Sequence, residues 1–414
     1  MLCQFTVKNY KSIRDEVTLD MQAAAISEHN ESIIKLKYAD SGEATDSFLP
    51  VAVIYGPNGG GKSNVLEAIH SLVIKIIRPV CATCPDQESC KYRIKNIPVK
   101  PFLFSEKTKK APTEFEIFFC TKIAEYRYIL HVRDENVVYE SLDRVRFETG
   151  RRSSLFERDK QNVKLKGTFS KMKISDEISD TLPLLSYLGI TYKKNKIVSD
   201  VFEWFEHKID FLNYGNPIQE MRTAITKSEN SKKLILKMIK EMDLDICDYR
   251  IEERQEDIEV YMKHDIDGIT AELPFLDESS GTQKIFGLLP FIARSLAFGT
   301  AIVIDELDAK IHPLLLEYII GLYTNPQSNK KHAQLIFTSH DLSTMNSDVF
   351  RRDEIWFVAK GNQQNSKLYS LVEFKDKNGK SVRNDARYDK QYLEGRYGAD
   401  PYLKKIIDWS DVNA

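Results

Sequence analysis

Hydrophobic and polar positions follow two different periods along the chain, and together they predict a mixed α/β fold. Residues 5–7 and 17–19 alternate between apolar and polar side chains, which predicts two short strands joined by a turn. Residues 50–55 form a short apolar run that stops at a glycine, as a buried strand does. From residue 62 to residue 73 the apolar positions recur at helical spacing, so a helix should follow that strand.

The last third of the chain alternates between helix-like and strand-like segments. Helical spacing is found at residues 283–298 and 313–323, and short apolar runs lie at 300–304, 333–338 and 354–358. Alternation of this kind implies a mostly parallel sheet. Further strand-like runs lie at residues 115–119, 126–132 and 136–139. Both ends of the chain are therefore expected to build one sheet domain around a middle insertion, and the lack of heptads predicts no long coiled coil.

We divide the chain into an N-terminal lobe at residues 1–143, an insertion at 144–265 and a C-terminal lobe at 266–414. The insertion begins with a basic stretch, since residues 144–173 carry ten basic side chains against three acidic ones. Residues 181–242 have mostly helical spacing, so the insertion is expected to be largely helical. Its basic part is interpreted as a solvated surface, with a DNA or RNA contact or a seat for an acidic protein as the alternatives.

Composition and charge narrow the class of protein. The chain has 414 residues, a hydrophobic fraction of 42% and a net charge of -2, which excludes a disordered or collagen-like chain. No window approaches the roughly 18 apolar residues of a membrane span, and the N-terminus lacks the features of a secretory signal. Six cysteines are too few for a disulfide framework. We expect a cytoplasmic protein with no membrane partner.

Residues 56–63 match the P-loop pattern G-x-x-x-x-G-K-[ST], between a predicted strand and a predicted helix. Glycines in such a loop let backbone N–H groups converge on phosphate oxygens, and the helix N-terminus adds a positive dipole end. Lys62 is expected to reach the β and γ phosphates of ATP, and Ser63 to hold Mg²⁺. The expected nucleotide contacts are Asn58, Gly59, Gly60, Gly61, Lys62, Ser63 and Asn64.

Two acids follow the apolar run at residues 301–304. A buried strand would deliver the carboxylates of Asp305 and Glu306 to its C-terminal end, where ligands of parallel sheets bind. Asp305 is expected to complete the Mg²⁺ shell through water. Glu306 is expected to polarise the attacking water as the catalytic carboxylate, because positioning and electrostatics are most of phosphoryl-transfer catalysis.

Residues 278–283 resemble the ABC-type signature L-S-G-G-Q, with Ser279 and Thr282 departing from it. Ser280, Gly281 and Gln283 are the expected nucleotide contacts of this segment. A signature can reach the γ-phosphate only from outside the P-loop, which in ABC-type sites means from a second protomer. ATP is therefore expected to bridge a homodimer or a higher oligomer. His340 ends a predicted strand at the place of the switch histidine and is a further catalytic candidate.

These motifs together resemble a known family. The residues that carry the resemblance are Lys62-Ser63-Asn64, Ser280-Gly281-Thr282-Gln283, Asp305-Glu306-Leu307-Asp308 and Ser339-His340. The set resembles the RecF/SMC-like branch of ABC-type ATPases, and more closely the RloA-like and abortive-infection ATPases of prokaryotic defence loci. The resemblance implies a P-loop NTPase fold of the ABC-type head, with a mixed sheet.

The resemblance also implies a function. It is that of a regulatory ATPase in antiphage defence, which dimerises on ATP and controls a separately encoded effector, expected to be a nuclease. The sequence itself has no nuclease motif. A RecF/SMC-like DNA-binding ATPase in DNA repair or maintenance is the first alternative, and a transporter nucleotide-binding subunit is the second.

A cysteine cluster follows the predicted helix. Cys81, Cys84 and Cys90 have the spacing C-x2-C-x5-C, which suits tetrahedral Zn²⁺. A fourth ligand is missing nearby, and His70 and Cys120 are the candidates for it. A redox pair and an uncommitted loop are the alternatives, so Zn²⁺ is a candidate cofactor beside ATP and Mg²⁺.

Overall fold

The computed structural model describes residues 1–37, 45–82, 98–212, 229–242, 244–254, 257–361, 363–376 and 379–399. The strands are β1 Leu2–Lys8, β2 Val17–Asp20, β3 Ile34–Lys37, β4 Thr45–Phe48, β5 Val51–Tyr55, β6 Thr113–Cys120, β7 Ala124–Arg133, β8 Asn136–Arg146, β9 Arg152–Asp159, β10 Asn162–Leu165, β11 Ile209–Leu212, β12 Asp248–Arg254, β13 Asp257–Ile266, β14 Ile269–Pro274, β15 Ala301–Ile304, β16 Gln334–Thr338, β17 Ile355–Lys360 and β18 Ser366–Ser370. The helices are α1 Lys62–Cys81, α2 Glu106–Lys110, α3 Leu184–Thr191, α4 Lys196–His207, α5 Glu229–Glu241, α6 Ser280–Phe298, α7 Pro313–Thr324 and α8 Tyr388–Leu393.

A six-stranded sheet positions the predicted motifs. Its strand order is β11-β15-β16-β5-β17-β18, and the first five strands run parallel while β18 is antiparallel to β17. The strands β5, β15 and β16 are buried along their whole length, as expected for a parallel sheet covered on both faces. Because β16 lies between β15 and β5, the segments that follow these three strands meet at one edge of the sheet.

A seven-stranded antiparallel sheet lies on the other side of α1. Its order is β10-β9-β8-β7-β6-β1-β2. In β7 buried and partly exposed residues alternate, which is the pattern of a sheet with one face in a core. That face packs with α1, α3, α4 and one face of the parallel sheet in a single hydrophobic cluster. The helix that carries the P-loop at its start is thus held between two sheets.

A second core covers the opposite face of the parallel sheet. Residues of α5, α6, α7 and α8 pack there, together with β12 and β13 of a three-stranded antiparallel sheet. The remaining strand of that sheet, β14, is exposed along its length and leads into the segment before α6. Among the described residues, no helix is long and apolar enough to cross a membrane.

The elements predicted in the last third are confirmed to within three residues. The helices α6 and α7 and the strands β15, β16 and β17 lie where the hydrophobic pattern places them. The two N-terminal strands pair with each other as an antiparallel ribbon, as their alternation predicts.

The basic stretch departs from the prediction of a largely helical insertion. The boundary at 143/144 falls inside β8, and β9 and β10 extend the antiparallel sheet through residue 165. Arg158 is fully buried and donates hydrogen bonds to the carbonyl oxygens of Lys160, Leu182 and Ser179. In a sequence an arginine is normally taken to be exposed. A buried arginine in a strand therefore breaks the apparent alternation of apolar and polar residues by which a strand is predicted. The division into three domains stays a prediction.

Candidate active site

Three segments of the predicted site leave the ends of three neighbouring strands. The P-loop follows β5, the acids Asp305 and Glu306 follow β15, and Ser339-His340 follow β16. In open parallel sheets the carboxyl ends of the strands are the place where ligands bind. The structure therefore brings the P-loop, the acidic pair and the predicted switch histidine to one edge of the sheet.

The P-loop has a backbone that only glycine can supply at its key positions. Gly61 has a φ of 108°, and a Cβ there would lie 2.2 Å from the Ser366 hydroxyl oxygen. Gly56 has a φ of 155°, and its Cβ would lie 2.4 Å from the carbonyl oxygen of Val358. Cβ atoms in proteins do not come this close to other atoms, so a side chain at either position would clash. Glycine, which has no Cβ, lets the backbone of the loop pack directly against its neighbours.

Two serines that the sequence analysis missed support the loop from outside. The Ser366 hydroxyl donates to the carbonyl oxygen of Gly60 at 2.6 Å and lies 2.7 Å from the Ser12 hydroxyl. The amide of Asn64 donates to Ser12 at 2.6 Å. Ser12 belongs to a polar turn that carries a weak signal in the sequence, whereas Ser366 comes to the site only through the pairing of β18 with β17.

Lys62 is held inside the loop. Its ammonium donates to the carbonyl oxygen of Gly56 at 2.8 Å and to that of Pro57 at 3.4 Å. Burial lowers the pKa of Lys62, and the carboxylates of Asp305, Glu306 and Asp308 act in the opposite direction. A buried cation beside the free N–H groups of a helix's first turn is a setting suited to a phosphate chain.

One buried hydroxyl orients both acids after β15. The Thr338 hydroxyl donates to Asp305 Oδ1 at 2.5 Å and accepts from the backbone N–H of Glu306 at 2.7 Å. Glu306 has a φ of 49°, a left-handed backbone that costs free energy for a residue other than glycine. Its side chain is exposed, while that of Asp305 is half-buried. Residues with a strained backbone conformation are found preferentially at functional sites.

Asp308 connects the turn after β15 with the segment after β16. Its Oδ2 accepts from the backbone N–H of His340 at 3.0 Å. Its Oδ1 is buried, and within the described residues it has no hydrogen-bond partner. The side chain of His340 is exposed. The predicted switch histidine is thus tethered by its backbone, with its ring left open to solvent.

The signature segment forms the N-terminus of α6. Ser279 caps the helix by accepting from the backbone N–H of Thr282 at 3.1 Å, and Ser280 is exposed. The amide of Gln283 donates to the carbonyl oxygens of Leu276 and Glu278, so this side chain holds the preceding turn of its own chain.

The same helix touches the acidic turn of its own chain. A Cβ on Gly281 would lie 2.9 Å from the carbonyl oxygen of Lys310. Lys284, which the sequence analysis missed, is buried and donates to the carbonyl oxygen of Glu306 at 2.7 Å. Burial lowers the pKa of Lys284 to about 8, while the charges of Asp308 and Glu306 oppose that shift. In the sequence, the one feature that could have pointed to Lys284 is its position directly after Gln283 of the signature segment.

The candidate zinc ligands are not brought together in the part of the chain that the structure describes. Cys81 ends α1, and Cys84 and Cys90 lie outside the described residues. His70 lies in α1 eleven positions before Cys81, which is roughly 16 Å along a helix. Cys120 is buried with its sulfur 3.2 Å from that of Cys3. The helix spacing keeps His70 away from Cys81, and within the described residues no cluster of metal-ligating side chains is found.

Comparisons with known proteins agree with these features. Residues 51–346 match the family model described as "AAA domain, putative AbiEii toxin, Type IV TA system". This range runs from β5 past His340 and so includes the P-loop, the signature segment, the acidic pair and the switch position. No curated protein sequence matches the chain.

Solved structures of SMC heads are similar to the chain. An SMC head bound to the C-terminal winged-helix domain of ScpA is 13% identical, with 89% of this chain and 97% of that chain covered and a TM-score of 0.47. An SMC head domain from Thermotoga maritima is 13% identical, with 89% and 98% covered and a TM-score of 0.40. One from Pyrococcus furiosus, with an extended coiled coil and bound to the C-terminal domain of ScpA, is 15% identical, with 89% and 96% covered and a TM-score of 0.41. Because the family model matches more than half of the chain, the chain belongs to the AAA-domain family that this description names.

Proposed function

We propose that the chain binds ATP with Mg²⁺ and hydrolyses it at the edge where β5, β15 and β16 end. The observation that carries this proposal is the convergence of the P-loop lysine with the carboxylates that follow β15. Lys62 lies inside a glycine-rich loop and feels the charges of Asp305, Glu306 and Asp308. A phosphate chain needs the cationic loop, and Mg²⁺ needs one carboxylate and one hydroxyl beside the phosphates, so this edge of the sheet suits both.

The loop would hold the phosphates. Lys62 donates to two loop carbonyl oxygens in the structure, and these are weak partners that phosphate oxygens can replace. The backbone N–H groups of residues 58–64 and the positive end of α1 would add neutral donors. Ser12 and Ser366 would keep the loop in shape by holding Asn64 and the carbonyl group of Gly60.

Ser63 and Asp305 fit the metal. The Ser63 side chain is exposed at the start of α1, and Asp305 is oriented by the Thr338 hydroxyl. One carboxylate and one hydroxyl suffice, because Mg²⁺ takes most of its other ligands from phosphates and water. When bound, Mg²⁺ supplies neutralisation of phosphate charge.

Glu306 would orient the attacking water and accept its proton. Its carboxylate is exposed at the rim of the site, on a backbone fixed by the Thr338 hydroxyl. His340, whose ring is exposed beside the same edge, would complete the polar surroundings of the γ-phosphate. Positioned groups of this kind supply most of the rate enhancement in phosphoryl transfer.

We further propose that ATP bridges two copies of the chain through the signature segment. Ser280 is exposed at the first turn of α6, where backbone N–H groups have no partner within the helix. Ser280 and the N–H groups near Gly281 would contact the partner's γ-phosphate. Gln283 would act indirectly, because its amide is engaged with its own chain.

At the level of the organism, the proposal is a regulatory role in antiphage defence. The family description names an AbiEii toxin and a type IV toxin–antitoxin system, which supports a role in abortive infection. The chain carries no nuclease motif, so the destructive step is assigned to a separately encoded effector, expected to be a nuclease. An ATPase that changes its assembly with nucleotide can control a partner that prefers one state.

Titration of ATP into the purified protein tests the binding site. Lys62→Ala should lose ATP binding, because it removes the cation that faces the phosphates. The matched control is Lys164→Ala, which removes an exposed lysine from β10 and should bind ATP as the unmodified protein does. Equal affinities in all three proteins would contradict the assignment of the P-loop.

Glu306→Gln tests turnover and assembly together. The amide keeps the shape of the side chain but loses the charge that orients water, so ATP should stay bound while hydrolysis stops. Light scattering after gel filtration should then show an ATP-dependent dimer or larger assembly. Hydrolysis at the unmodified rate would exclude the proposed role of Glu306, and a monomer with ATP bound would exclude the bridged assembly.

The DNA-binding alternative has its own readout. Exposed cations lie on or beside β9 and β10, at Arg151, Arg152, Lys160 and Lys164, and these are the residues that nucleic acid would meet. Turnover stimulated by DNA, and lost on neutralising these residues, would favour a RecF/SMC-like function in DNA repair over defence.

A further inference from the structure

A buried lysine ties the signature helix to the catalytic turn of the same chain. Lys284 lies in the first turns of α6, and only 7% of it is exposed. Its ammonium donates to the carbonyl oxygen of Glu306 at 2.7 Å. Burying a lysine costs free energy, and the nearby charges of Asp308 and Glu306 offset part of that cost.

Lys284 acts on the strained point of the turn. Glu306 is the residue with the left-handed φ of 49°, and its carbonyl group follows directly from that conformation. Its N–H is held from the other side by Thr338 at 2.7 Å. The peptide groups on both sides of the Glu306 side chain are therefore fixed by hydrogen bonds from different elements.

A second contact joins the same two segments. Gly281 approaches the carbonyl oxygen of Lys310 so closely that an added Cβ would lie only 2.9 Å away. Gly281 and Lys284 are three residues apart on one helical face, and they meet residues 310 and 306 of one turn. The start of α6 is thus docked on the turn that carries Glu306.

We propose that Lys284 is a positioning residue for ATP hydrolysis, which fixes the Glu306 carboxylate and joins it to the signature segment. This inference rests on the proposed function, in which Glu306 orients water at its own site and Ser280 meets the partner's nucleotide. Lys284 then transmits nucleotide contact at one site of the dimer to the catalytic carboxylate of the other. It need not touch the nucleotide itself.

Steady-state and binding measurements on full-length variants test the positioning role. Lys284→Met removes the charged donor and keeps the length of the side chain. We expect kcat to fall roughly ten- to a hundredfold, the loss associated with a hydrogen bond from a charged group, with the Kd for ATP unchanged within about twofold. Lys284→Arg should recover at least about a third of kcat because it restores a charged donor. Lys330→Met is the control, since it removes an exposed lysine that precedes β16 and so lies at the opposite edge of the parallel sheet.

The melting temperature of the Lys284→Met variant distinguishes a positioning role of Lys284 from a purely structural one. Lys284→Met removes the cost of burying a charge but leaves the carbonyl oxygen of Glu306 without this donor, and these two effects oppose each other. The melting temperature should therefore change by less than about 3 °C while kcat falls. A parallel loss of both would mean that Lys284 is only structural and would overturn the proposal. If the methionine variant does not fold, Lys284→Gln is measured by the same criteria.

A double-mutant cycle shows whether Lys284 acts through Glu306. In a Glu306→Gln background, Lys284→Met should change the residual single-turnover rate by less than about twofold, because there is no longer a carboxylate to position. Multiplicative losses would show that Lys284 acts on its own and would overturn the proposal. If Glu306→Gln hydrolyses ATP normally, the proposed function fails. If Glu306→Gln is inactive and Lys284→Met is normal, only this inference fails.

Discussion

At the scale of single residues, Thr338 shows how one hydroxyl can hold both acids of the proposed site. Its hydroxyl is fully buried and contacts both Asp305 and the backbone of Glu306. In the sequence it is the last member of an apolar strand, so nothing distinguished it from a core residue. Its role depends on β16 lying beside β15. The order of strands in a sheet cannot be predicted from the local pattern of apolar and polar residues.

We predict that Thr338→Val lowers kcat for ATP roughly tenfold or more, since valine keeps the shape but removes two hydrogen bonds worth about 1 kcal/mol each. Thr338→Ser should keep most of the activity because it retains the hydroxyl. Steady-state ATP hydrolysis with both variants, with circular dichroism as the check of folding, measures this. A fully active valine variant would mean that the two acids are oriented by other groups.

His70 illustrates a residue whose candidate role changed with the structure. Its ring is buried in α1 and stacks on Phe211, with ring centroids 4.2 Å apart. Burial lowers the pKa of His70 to about 4 from an ordinary value of 6.5. Helical spacing places a histidine on the apolar face, but the sequence alone could not separate a core histidine from a metal ligand.

We predict that His70 makes the fold less stable in mild acid. Below pH 6.5 the unfolded chain binds a proton at this residue that the folded chain does not, so stability falls as pH falls from 6.5 towards 4. At pH 5 this loss is about 2 kcal/mol relative to pH 7. Urea unfolding of the unmodified protein and of His70→Leu at both pH values measures it. Parallel losses in the two proteins would show that other groups are responsible.

At the scale of elements, a buried carboxylate fixes α3 to the antiparallel sheet. Glu140 of β8 accepts hydrogen bonds from the backbone N–H groups of Leu184 and Leu185 and from the Tyr128 hydroxyl, at 2.6, 2.8 and 2.9 Å. Burial raises the pKa of Glu140, and these three donors oppose the shift. The first turn of α3 thus takes its missing acceptors from a strand rather than from a local cap.

We predict that Glu140→Gln lowers the free energy of unfolding by about 1–3 kcal/mol, because the amide can accept on only one of its two polar atoms and leaves a buried N–H without a partner. Tyr128→Phe removes one of the three donors to Glu140 but leaves no N–H group without an acceptor. It should therefore lower the free energy of unfolding by less than Glu140→Gln does. Denaturant unfolding of both variants gives the comparison. Equal or reversed losses would show that Glu140 does not anchor α3.

Helices and strands with a regular spacing of apolar residues could be predicted from the sequence. Strands whose spacing is interrupted by a buried charged side chain could not. The helix α6 and the strands around it follow apolar spacing directly, and the P-loop carries its own glycine pattern. The strands β9 and β10 were missed because cations fill a stretch in which Arg158 is buried and Lys164 is exposed. Only the neighbouring carbonyl groups reveal which cation belongs to the core.

At the scale of the whole molecule, the site depends on contacts between distant parts of the chain. Gln334 in β16 exchanges hydrogen bonds with the backbone of Leu2, 332 residues away. The two cores lie on opposite faces of the parallel sheet, so the P-loop helix belongs to one and the signature helix to the other. Motif matching named most residues of the proposed site, whereas Ser366, Thr338 and Lys284 come into it only through this long-range packing.

The proposed function divides the labour between this chain and a separately encoded effector. The family description names a toxin, so toxicity could reside in this chain itself, whereas the proposed function assigns it to another protein. Since the chain has nucleotide-site motifs and no nuclease motif, we predict that alone it neither cleaves nucleic acid nor blocks phage growth. Protection should require the neighbouring gene together with an intact Lys62 and Glu306.

Expression of the chain with and without its neighbouring genes, followed by phage plating, measures this directly. Glu306→Gln should fail to give regulated protection even when the neighbour is present, because a partner that prefers one assembly state loses its switch when turnover stops. Incubation of the purified chain with DNA and RNA supplies the second readout. Growth arrest by the chain alone, or metal-dependent cleavage lost on mutating its own acidic residues, would assign the destructive step to this protein and remove the need for an effector.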